Sequence, residues 1–292
     1  MNINLTRIVP DHFRKPEFIC QSQPELENVR SPQSVKKFIE GRKAEIEKSL
    51  GGFRLTIRYA RIDEASLIKK MIDTYFSKKA AAHIGKYDVF RFIRFGYTLV
   101  VEDENRKIIA CKLAIGFDSV SGISHSFVSL VVPEWTGKQI AFFISTYSCL
   151  VALERGSLIQ RATVNPLNFA SVKSLVNKVG FVCQDFHPEF FGKDEPRYVL
   201  YIPLSPAGLT NNTINEEKAR LFIASHEAGK DYRLLPAVDL DAITKMYSET
   251  EFRIVSLISH ISGEHQMLAL PKYLMNFSPS EEVFFQCGPG DE

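Results

Sequence analysis

The hydrophobic and polar positions of this chain follow two periods in turn, and both are clear enough to predict secondary structure. In residues 53–60, Phe, Leu, Ile and Tyr occupy every second position, which predicts a half-buried strand. Residues 126–132 are small, apolar and largely β-branched, as in a strand that is covered on both faces. Residues 139–153 contain no charge, proline or glycine and predict a buried helix of about four turns. Strands and helices therefore both contribute to the core.

Applied to the whole chain, these periods predict an α/β fold with one mixed β-sheet. The sheet is expected to be antiparallel in its first half and to cross over through helices in its second half. The predicted strands are 53–60, 97–102, 107–117, 125–132, 157–164, 181–186 and 197–204. The predicted helices are 35–50, 63–77, 87–95, 139–153, 165–179, 213–228 and 236–261, the last two opened by a Thr213–Glu216 capping box and a cap near Asp239.

These elements divide the chain into three predicted parts. Residues 1–52 are expected to be an extended arm followed by a helix, because the first 30 residues show little periodicity. Residues 53–204 hold the mixed sheet and are the candidate catalytic domain. Residues 205–292 predict a helical extension that ends in a flexible acidic tail rich in Ser, Pro and Gly.

Composition places the chain among soluble globular proteins and points to the cytoplasm. It is 45% hydrophobic and 24% charged, with no apolar run of the roughly 20 residues that a membrane span needs. The first ten residues lack the apolar core of a signal peptide. The five cysteines are scattered and contain no Cys-x-x-Cys pair, so we expect reduced thiols. Residues 53–204 have 20 Lys and Arg against 14 Asp and Glu, which suits an anionic ligand but is too modest an excess to predict nucleic-acid binding.

The junction between the strand at 126–132 and the helix at 139–153 is the strongest candidate for chemistry. Pro133 ends the strand because it lacks an N–H, and Gly137 stands where the helix begins. A glycine there lets backbone N–H groups approach a ligand, and the first helical turn has unpaired donors at the positive end of the helix dipole. The junction therefore suits an anion such as a diphosphate. An ordinary strand-to-helix turn would show the same pattern.

Two segments together resemble the signature segments of the GCN5-related N-acetyltransferase family. They are VVPEWTGKQIA at 131–141 and VNPLNFASVKSLVNKVGF at 164–181. The resemblance covers roughly residues 53–204 and implies a sheet that is splayed open at the 126–132 strand, usually by a bulge. It also implies acetyl-CoA as co-substrate, an amine as acceptor and no metal. The residues that it implies for acetyl-CoA binding are Leu130, Val131, Val132, Thr136, Gly137, Lys138, Gln139, Ile140, Ala141, Asn165, Asn168 and Ser171.

The chain departs from the family pattern at several positions. Gln139 occupies the second glycine position of the phosphate loop, and Glu134 or Thr136 stands where a basic or amide residue is common. A tyrosine that often protonates the leaving thiolate is replaced by Val176, and the spacing from asparagine to Gly180 is one residue longer than the commonest form.

Two residues are candidates for the base that removes a proton from the acceptor amine. His125 opens the central strand, and an imidazole has a pKa suited to this role. Glu134 lies just past the strand and could act through a water molecule. Each side chain is also of a kind that commonly lies in a turn without any catalytic role. His260 and His265 lack the spacing of metal ligands.

The leading functional hypothesis is an acyl-CoA-dependent N-acetyltransferase that acts on a primary amine of a small molecule or a protein. A second hypothesis keeps the fold but takes a longer acyl chain from a carrier protein, as the uncharged helix at 139–153 would suit. A third is a non-catalytic acyl-CoA-binding or scaffolding module, suggested by Gln139 and Val176. In each case the C-terminal region could act as a lid or mediate a homodimer, and the sequence does not identify the acceptor.

Overall fold

The computed structural model describes residues 32–76, 83–116, 122–206, 208–211, 214–226 and 228–271. They belong to two compact units, a first unit that ends at residue 160 and a second unit that begins at residue 161. The division falls inside the predicted 53–204 domain, so the three-part division of the chain stays a prediction. The predicted arm over the first 30 residues and the tail from residue 277 lie outside the described residues.

Within its described residues, the first unit contains four α-helices and an antiparallel meander of four strands, adjacent in the order in which they follow one another in the chain. The helices are α1 (Pro32–Gly51), α2 (Ala65–Tyr75), α3 (Lys86–Phe95) and α4 (Ile140–Glu154). The strands are β1 (Thr56–Tyr59), β2 (Tyr97–Glu102), β3 (Ile108–Ile115) and β4 (Ile123–Val131). All eight elements were predicted from the sequence, with ends that differ by a few residues.

Residues 140–153 of helix α4 are uncharged because the helix is covered on two sides within the first unit. Its residues Ile144, Ser148 and Leu150 are fully buried. On its outer side α1 lies against it, where Lys43 Nζ is 2.6 Å from the Glu154 carboxylate and the Tyr147 hydroxyl donates to Glu47 at 3.0 Å. The uncharged sequence at 139–153 is thus accounted for by packing between sheet and helix.

Strand β4 carries a β-bulge at Phe127. Leu113 of β3 lies opposite Val128, whereas the next residue, Ala114, lies opposite Ser126, so Phe127 is the extra residue on β4. Such a bulge bends its strand and increases the local twist. A bulge in this strand is what the family resemblance implies.

The second unit combines helices with six strands that are adjacent in the order β5-β7-β6-β9-β10-β8. The strands are β5 (Ile159–Val164, whose first two residues belong to the first unit), β6 (Val182–His187), β7 (Arg197–Pro203), β8 (Arg233–Pro236), β9 (Phe252–Ser259) and β10 (His265–Pro271). The helices are α5 (Phe169–Val172), α6 (Gly208–Asn211), α7 (Glu216–Ser225) and α8 (Leu240–Glu249). The mixed α/β fold class is therefore as predicted.

A π-helix from Lys173 to Val179 continues α5 and ends at Gly180, whose positive φ of 98° favours glycine. The amide of Gly180 donates to the carbonyl oxygen of Leu175 at 3.0 Å, five residues back. Because each π-type bond encloses one more residue than an α-type bond, this segment accommodates one extra residue. The longer spacing before Gly180 noted in the sequence is accommodated in this way.

The predicted helix over 236–261 is wrong beyond Glu249. Asp239 does cap α8, accepting a hydrogen bond from the amide of Ala242 at 2.9 Å, but Phe252–Ser259 forms β9. Strands β8 and β10 were also missed, so the C-terminal region is an α/β extension of the sheet. Thr213 of the predicted capping box lies outside the described residues, and Asn215 caps α7 by accepting from the amide of Lys218.

Glu216 joins three segments of the second unit. Its carboxylate is 2.8 Å from Lys173 Nζ on the π-helix and 3.0 Å from Arg220, and it accepts the amide of Ser259 at 3.0 Å. Although partial burial acts to raise its pKa, these hydrogen bonds lower the pKa of Glu216 to about 2. The ionised carboxylate therefore stabilises the contact between α7, β9 and the π-helix.

Replacing Glu216 by glutamine is expected to destabilise the protein by about 1–2 kcal/mol at pH 7, a value reduced for the partial exposure of the pair. Because the folded-state pKa of Glu216 lies below its unfolded value, its contribution is complete above about pH 4.5 and is lost as the pH falls towards 2. Denaturant unfolding at pH 7 and pH 3 measures this, and the variant should lose less stability between the two pH values than the wild type does. An equal loss in both proteins would contradict it.

The three cysteines that the structure describes, Cys111, Cys149 and Cys183, are buried free thiols, in agreement with the sequence prediction for them. Within the described ranges, no helix is both long enough and apolar enough to cross a membrane.

Candidate functional site

The turn between β4 and α4 contains two residues in the left-handed region. A short 3₁₀ turn, Pro133–Trp135, ends β4, and Gly137 then has φ of 78° and Gln139 φ of 62°. Thr136 closes the 3₁₀ turn, its amide and hydroxyl both donating to the Pro133 carbonyl oxygen, at 3.1 and 2.8 Å. Thr136 thus stabilises the turn itself.

The backbone amides that follow Thr136 are the donors of this turn. In the part of the chain that the structure describes, the amides of Gly137, Lys138, Gln139 and Ile140 have no hydrogen-bond acceptor, while the Gln139 carbonyl oxygen accepts from Phe143 at 3.0 Å. Residues 136–139 are exposed. Donors in such a turn at the start of a long helix form a concave, positively polarised site for an anion. A Cβ atom at Gly137 would meet nothing within 4 Å, so the approach to this turn is open.

Gln139, which stands at the second glycine position of the resemblance, has a φ of 62°, in the left-handed region that glycine favours. A residue with a Cβ atom in this conformation is strained by about 1 kcal/mol. The departure noted in the sequence therefore places a side chain where the backbone favours glycine.

Replacing Gln139 by glycine is expected to stabilise the protein by up to about 0.5 kcal/mol, because relief of the strain is largely offset by the entropy of glycine in the unfolded chain. Lys138→Gly is the matched control: Lys138 lies beside Gln139 but does not have a positive φ, so this change is expected to destabilise. Denaturant unfolding of both variants measures the difference. Equal destabilisation by the two would contradict strain at Gln139.

Two charged side chains of opposite sign, Lys138 and Glu134, lie beside the turn. Lys138 Nζ lies 4.0 Å from the centroid of the Trp135 ring, a cation–π contact that keeps this ammonium beside the turn. Glu134 is exposed in the 3₁₀ turn, next to the same amides. A carboxylate in this position would repel an anion held by the turn, which argues against Glu134 as the base near the reacting carbon.

Within β4, the register determines which backbone groups point away from β3. The amide of Val132 donates to the Ile109 carbonyl oxygen at 2.9 Å, and antiparallel pairing alternates, so the amide of Leu130 also points to β3. The N–H and C=O of Val131 and Ser129 point to the other edge. Of the three predicted strand residues Leu130, Val131 and Val132, only Val131 therefore directs its backbone groups away from β3, and cofactor contacts at this strand stay a prediction. Ile140 and Ala141 begin α4, buried and half-buried respectively.

His125 lies on β4 beyond the bulge, opposite Ile115 of β3. Its ring is 6.2 Å from that of Phe127, centroid to centroid, and the side chain is half-buried. The bulge residue thus separates His125 from the end of β4 that leads to the turn.

Three predicted site residues belong to the second unit. The Asn165 side-chain oxygen accepts the amide of Leu167 at 2.9 Å, and that of Asn168 accepts the amide of Ser171 at 3.2 Å as the N-cap of α5. Both asparagines thus have a local structural role. Val176 is buried in the π-helix and offers no proton donor.

The sequence reasoning missed two polar features. In the second unit, Asp185 Oδ2 is 3.0 Å from His187 Nε2. Partial burial acts to raise the pKa of Asp185, but the hydrogen bond from His187 lowers it. In the first unit, Lys112 is buried in β3, only 1% exposed. A lone lysine in the apolar run Ile108–Ile115 is a signal that the sequence already carried.

Comparison with known proteins gives one class of similar structure. No protein-family model matches the sequence, and no curated protein matches it either. Several solved structures to which the chain is similar bear the names of N-acetyltransferases.

Among them is the dodecameric spermidine N-acetyltransferase from Vibrio cholerae, at 18% identity, 54% of this chain, 97% of that chain and a TM-score of 0.44. Another is the ribosomal-protein-S5-alanine acetyltransferase from Vibrio fischeri, with 16% identity and a TM-score of 0.44. The match covers 52% of this chain and 94% of that chain. A third is yncA from Salmonella typhimurium with its cofactor acetyl-CoA, with 18% identity and a TM-score of 0.43. The match covers 52% of this chain and 94% of that chain. At these sequence identities and TM-scores, the similarity says nothing about the activity or the site residues of this chain.

Proposed function

We propose that the protein is an acyl-CoA-dependent N-acetyltransferase that transfers the acetyl group of acetyl-CoA to a primary amine. The observation that carries the proposal is the turn before α4, in which the amides of residues 137–140 lack acceptors among the described residues. A diphosphate is the ligand that such a turn suits. Acetyl-CoA joins a diphosphate to a thioester through an extended arm.

The direction of β4 gives the arrangement of the donor in this proposal. With the diphosphate at the turn, the pantetheine arm would run back along β4 and pair with the backbone of Val131 and Ser129. The bulge at Phe127 lies about 13 Å from Val131 at the rise of a strand, so the thioester would lie near it. Backbone donors there would stabilise the oxyanion that develops on the carbonyl oxygen.

The reaction in this proposal is a direct attack of the neutral amine on the thioester carbon. The acceptor ammonium first loses a proton to a base, the amine nitrogen forms the new C–N bond, and the C–S bond breaks to release the CoA thiolate. The second proton lost from the nitrogen goes to the thiolate. His125, beyond the bulge, is better placed than Glu134 for the first proton, because Glu134 lies at the diphosphate end. Since Val176 cannot donate, a water molecule is expected to relay this second proton to the thiolate.

Part of the sequence argument for each of the two other hypotheses has a structural explanation. A longer acyl chain was suggested by the uncharged residues 139–153, which the packing of α1 and the sheet explains. A non-catalytic module was suggested by Val176 and by Gln139, and the latter has a φ of 62° that glycine favours. Acetyl-CoA is therefore the proposed donor, and cytoplasmic location and a homodimer stay predictions.

The test is release of CoA thiol from acetyl-CoA in the presence of spermidine, of a lysine-containing peptide or of a peptide with a free N-terminus. The proposal expects thiol release that depends on both substrates, with a matching acetylated product by mass spectrometry, and a large loss in His125→Gln if His125 is the base. Binding of acetyl-CoA without transfer to any of these amines would instead favour the non-catalytic module.

A further inference from the structure

Lys112 is a buried cation without a carboxylate partner in the described part of the chain. It lies in the middle of β3, and its Nζ donates a hydrogen bond to the Ser145 hydroxyl of α4 at 3.1 Å. Lys112 is 1% exposed and Ser145 is also 1% exposed. Buried charges are normally paired, since their transfer out of water is costly. This arrangement therefore calls for an anion that completes it.

The groups that surround Lys112 are neutral. It lies opposite Leu99 of β2 and Ser129 of β4. Cys149 on α4 is the titratable group that interacts with it, and burial raises the pKa of that thiol to about 12, so it stays protonated. Tyr97, on β2, is buried with a pKa raised to about 12. Burial lowers the pKa of Lys112 itself to about 8.

The position of Ser145 brings this cation close to the proposed diphosphate turn. Ser145 lies five residues along α4 from Ile140, about 7.5 Å at the rise of a helix. The Lys112 ammonium is thus about 10 Å from the first turn of α4 through the protein interior, where screening by solvent is weak.

We propose that Lys112 is the buried counter-charge of the acyl-CoA diphosphate, acting from behind the turn at the N-terminus of α4; this rests on the proposed function. In the free protein, the ammonium and the positive end of the helix dipole lie near each other without an anion. A bound diphosphate supplies the negative charge. Lys112 would then strengthen binding of the acetyl-CoA donor through its electrostatic field, and it would contact no atom of the ligand.

The proposal has a reciprocal consequence. If protonated Lys112 favours the diphosphate, binding of the diphosphate favours protonated Lys112 by the same factor. Acetyl-CoA affinity is then highest below about pH 8 and falls as Lys112 loses its proton above that value. Binding near pH 8–9 is accompanied by proton uptake.

Isothermal titration with acetyl-CoA tests this between pH 7 and pH 9.5, with the wild type, Lys112→Met and the control Lys107→Met. Lys107 is an exposed lysine just before β3. At pH 7, Lys112→Met should bind about tenfold more weakly than the wild type, as expected for unit charges about 10 Å apart at an effective dielectric constant of about 20. The two proteins should converge at pH 9.5, and Lys107→Met should follow the wild type throughout.

Proton uptake is measured independently on the wild type alone, from binding heats in two buffers of different ionisation enthalpy. Equal affinities and equal pH dependence of the wild type and Lys112→Met, or no proton uptake near pH 8–9, would overturn the role of Lys112. Absence of acetyl-CoA binding by the wild type at every pH would instead overturn the proposed function. A thermal midpoint of Lys112→Met at or above that of the wild type shows that the variant is folded, as removal of an unpaired buried charge predicts.

Discussion

Replacement of Gly137 by glutamate is expected to weaken acetyl-CoA binding by about 100-fold or more. The new carboxylate would lie within about 5 Å of the diphosphate, where repulsion between unit charges at an effective dielectric constant of about 20 amounts to about 3 kcal/mol. The side chain itself fits, because a Cβ atom at Gly137 meets nothing within 4 Å. Isothermal titration with acetyl-CoA measures the loss.

Gly137→Ala is the matched control for this experiment. Both variants place a Cβ atom at a φ of 78° and carry the same backbone strain of about 1 kcal/mol, but only glutamate adds charge. The alanine variant is therefore expected to bind within a few-fold of the wild type. If alanine abolished binding as completely as glutamate does, the loss would come from the shape of the turn, and the charge argument would fail.

Replacement of Asn177 by alanine is expected to destabilise the protein by about 3–4 kcal/mol. Asn177 is 3% exposed on the π-helix, and its side-chain nitrogen donates to the Leu257 carbonyl oxygen at 2.8 Å and to the Ser256 hydroxyl at 3.0 Å. Its side-chain oxygen accepts the amide of Leu257 at 2.9 Å. Alanine would leave the buried backbone groups of β9 without partners, which costs more than the bonds themselves contribute.

Equilibrium unfolding in denaturant measures this loss, with Lys178→Ala as control. Lys178 is the adjacent, exposed residue of the same π-helix, and its replacement is expected to change stability by less than about 0.5 kcal/mol. A small effect of Asn177→Ala would mean that β9 does not depend on the π-helix for its stability.

The sequence predicts the first unit well because its signals are local. Alternating strands, the polar turn at 103–106 and an uncharged helix each determine their own structure without reference to distant residues. The position of Gly137 in the β4–α4 turn follows in the same way. The Phe127 bulge could be expected only from the family resemblance, because a bulge depends on pairing with β3.

The C-terminal strands could not be predicted in this way. Residues 252–259 are apolar except for Arg253, Ser256 and Ser259, and they closely follow a capped helix without an intervening glycine or proline. Such a run fits a buried helix as well as a strand buried on both faces, and only its pairing with β10 and β6 decides between them. The prediction extended the helix for lack of a local signal to end it.

The candidate site was predicted only in part, for reasons of register and conformation. The segment 131–141 was identified, but which amides of β4 point away from β3 depends on the Val132–Ile109 bond. That Gln139 has a positive φ depends on the turn that contains it. Lys112 was overlooked because its burial arises from the packing of α4 on β3.

The most direct test of the central proposal is isothermal titration of the wild-type protein with acetyl-CoA and, in parallel, with S-acetylpantetheine, which lacks the diphosphate. The account predicts saturable binding of acetyl-CoA at one site per chain and binding of S-acetylpantetheine at least about 100-fold weaker, because the α4 turn would have no anion to hold. Equal binding of the two compounds, or no saturable binding of acetyl-CoA at millimolar concentration by the folded protein, would contradict it.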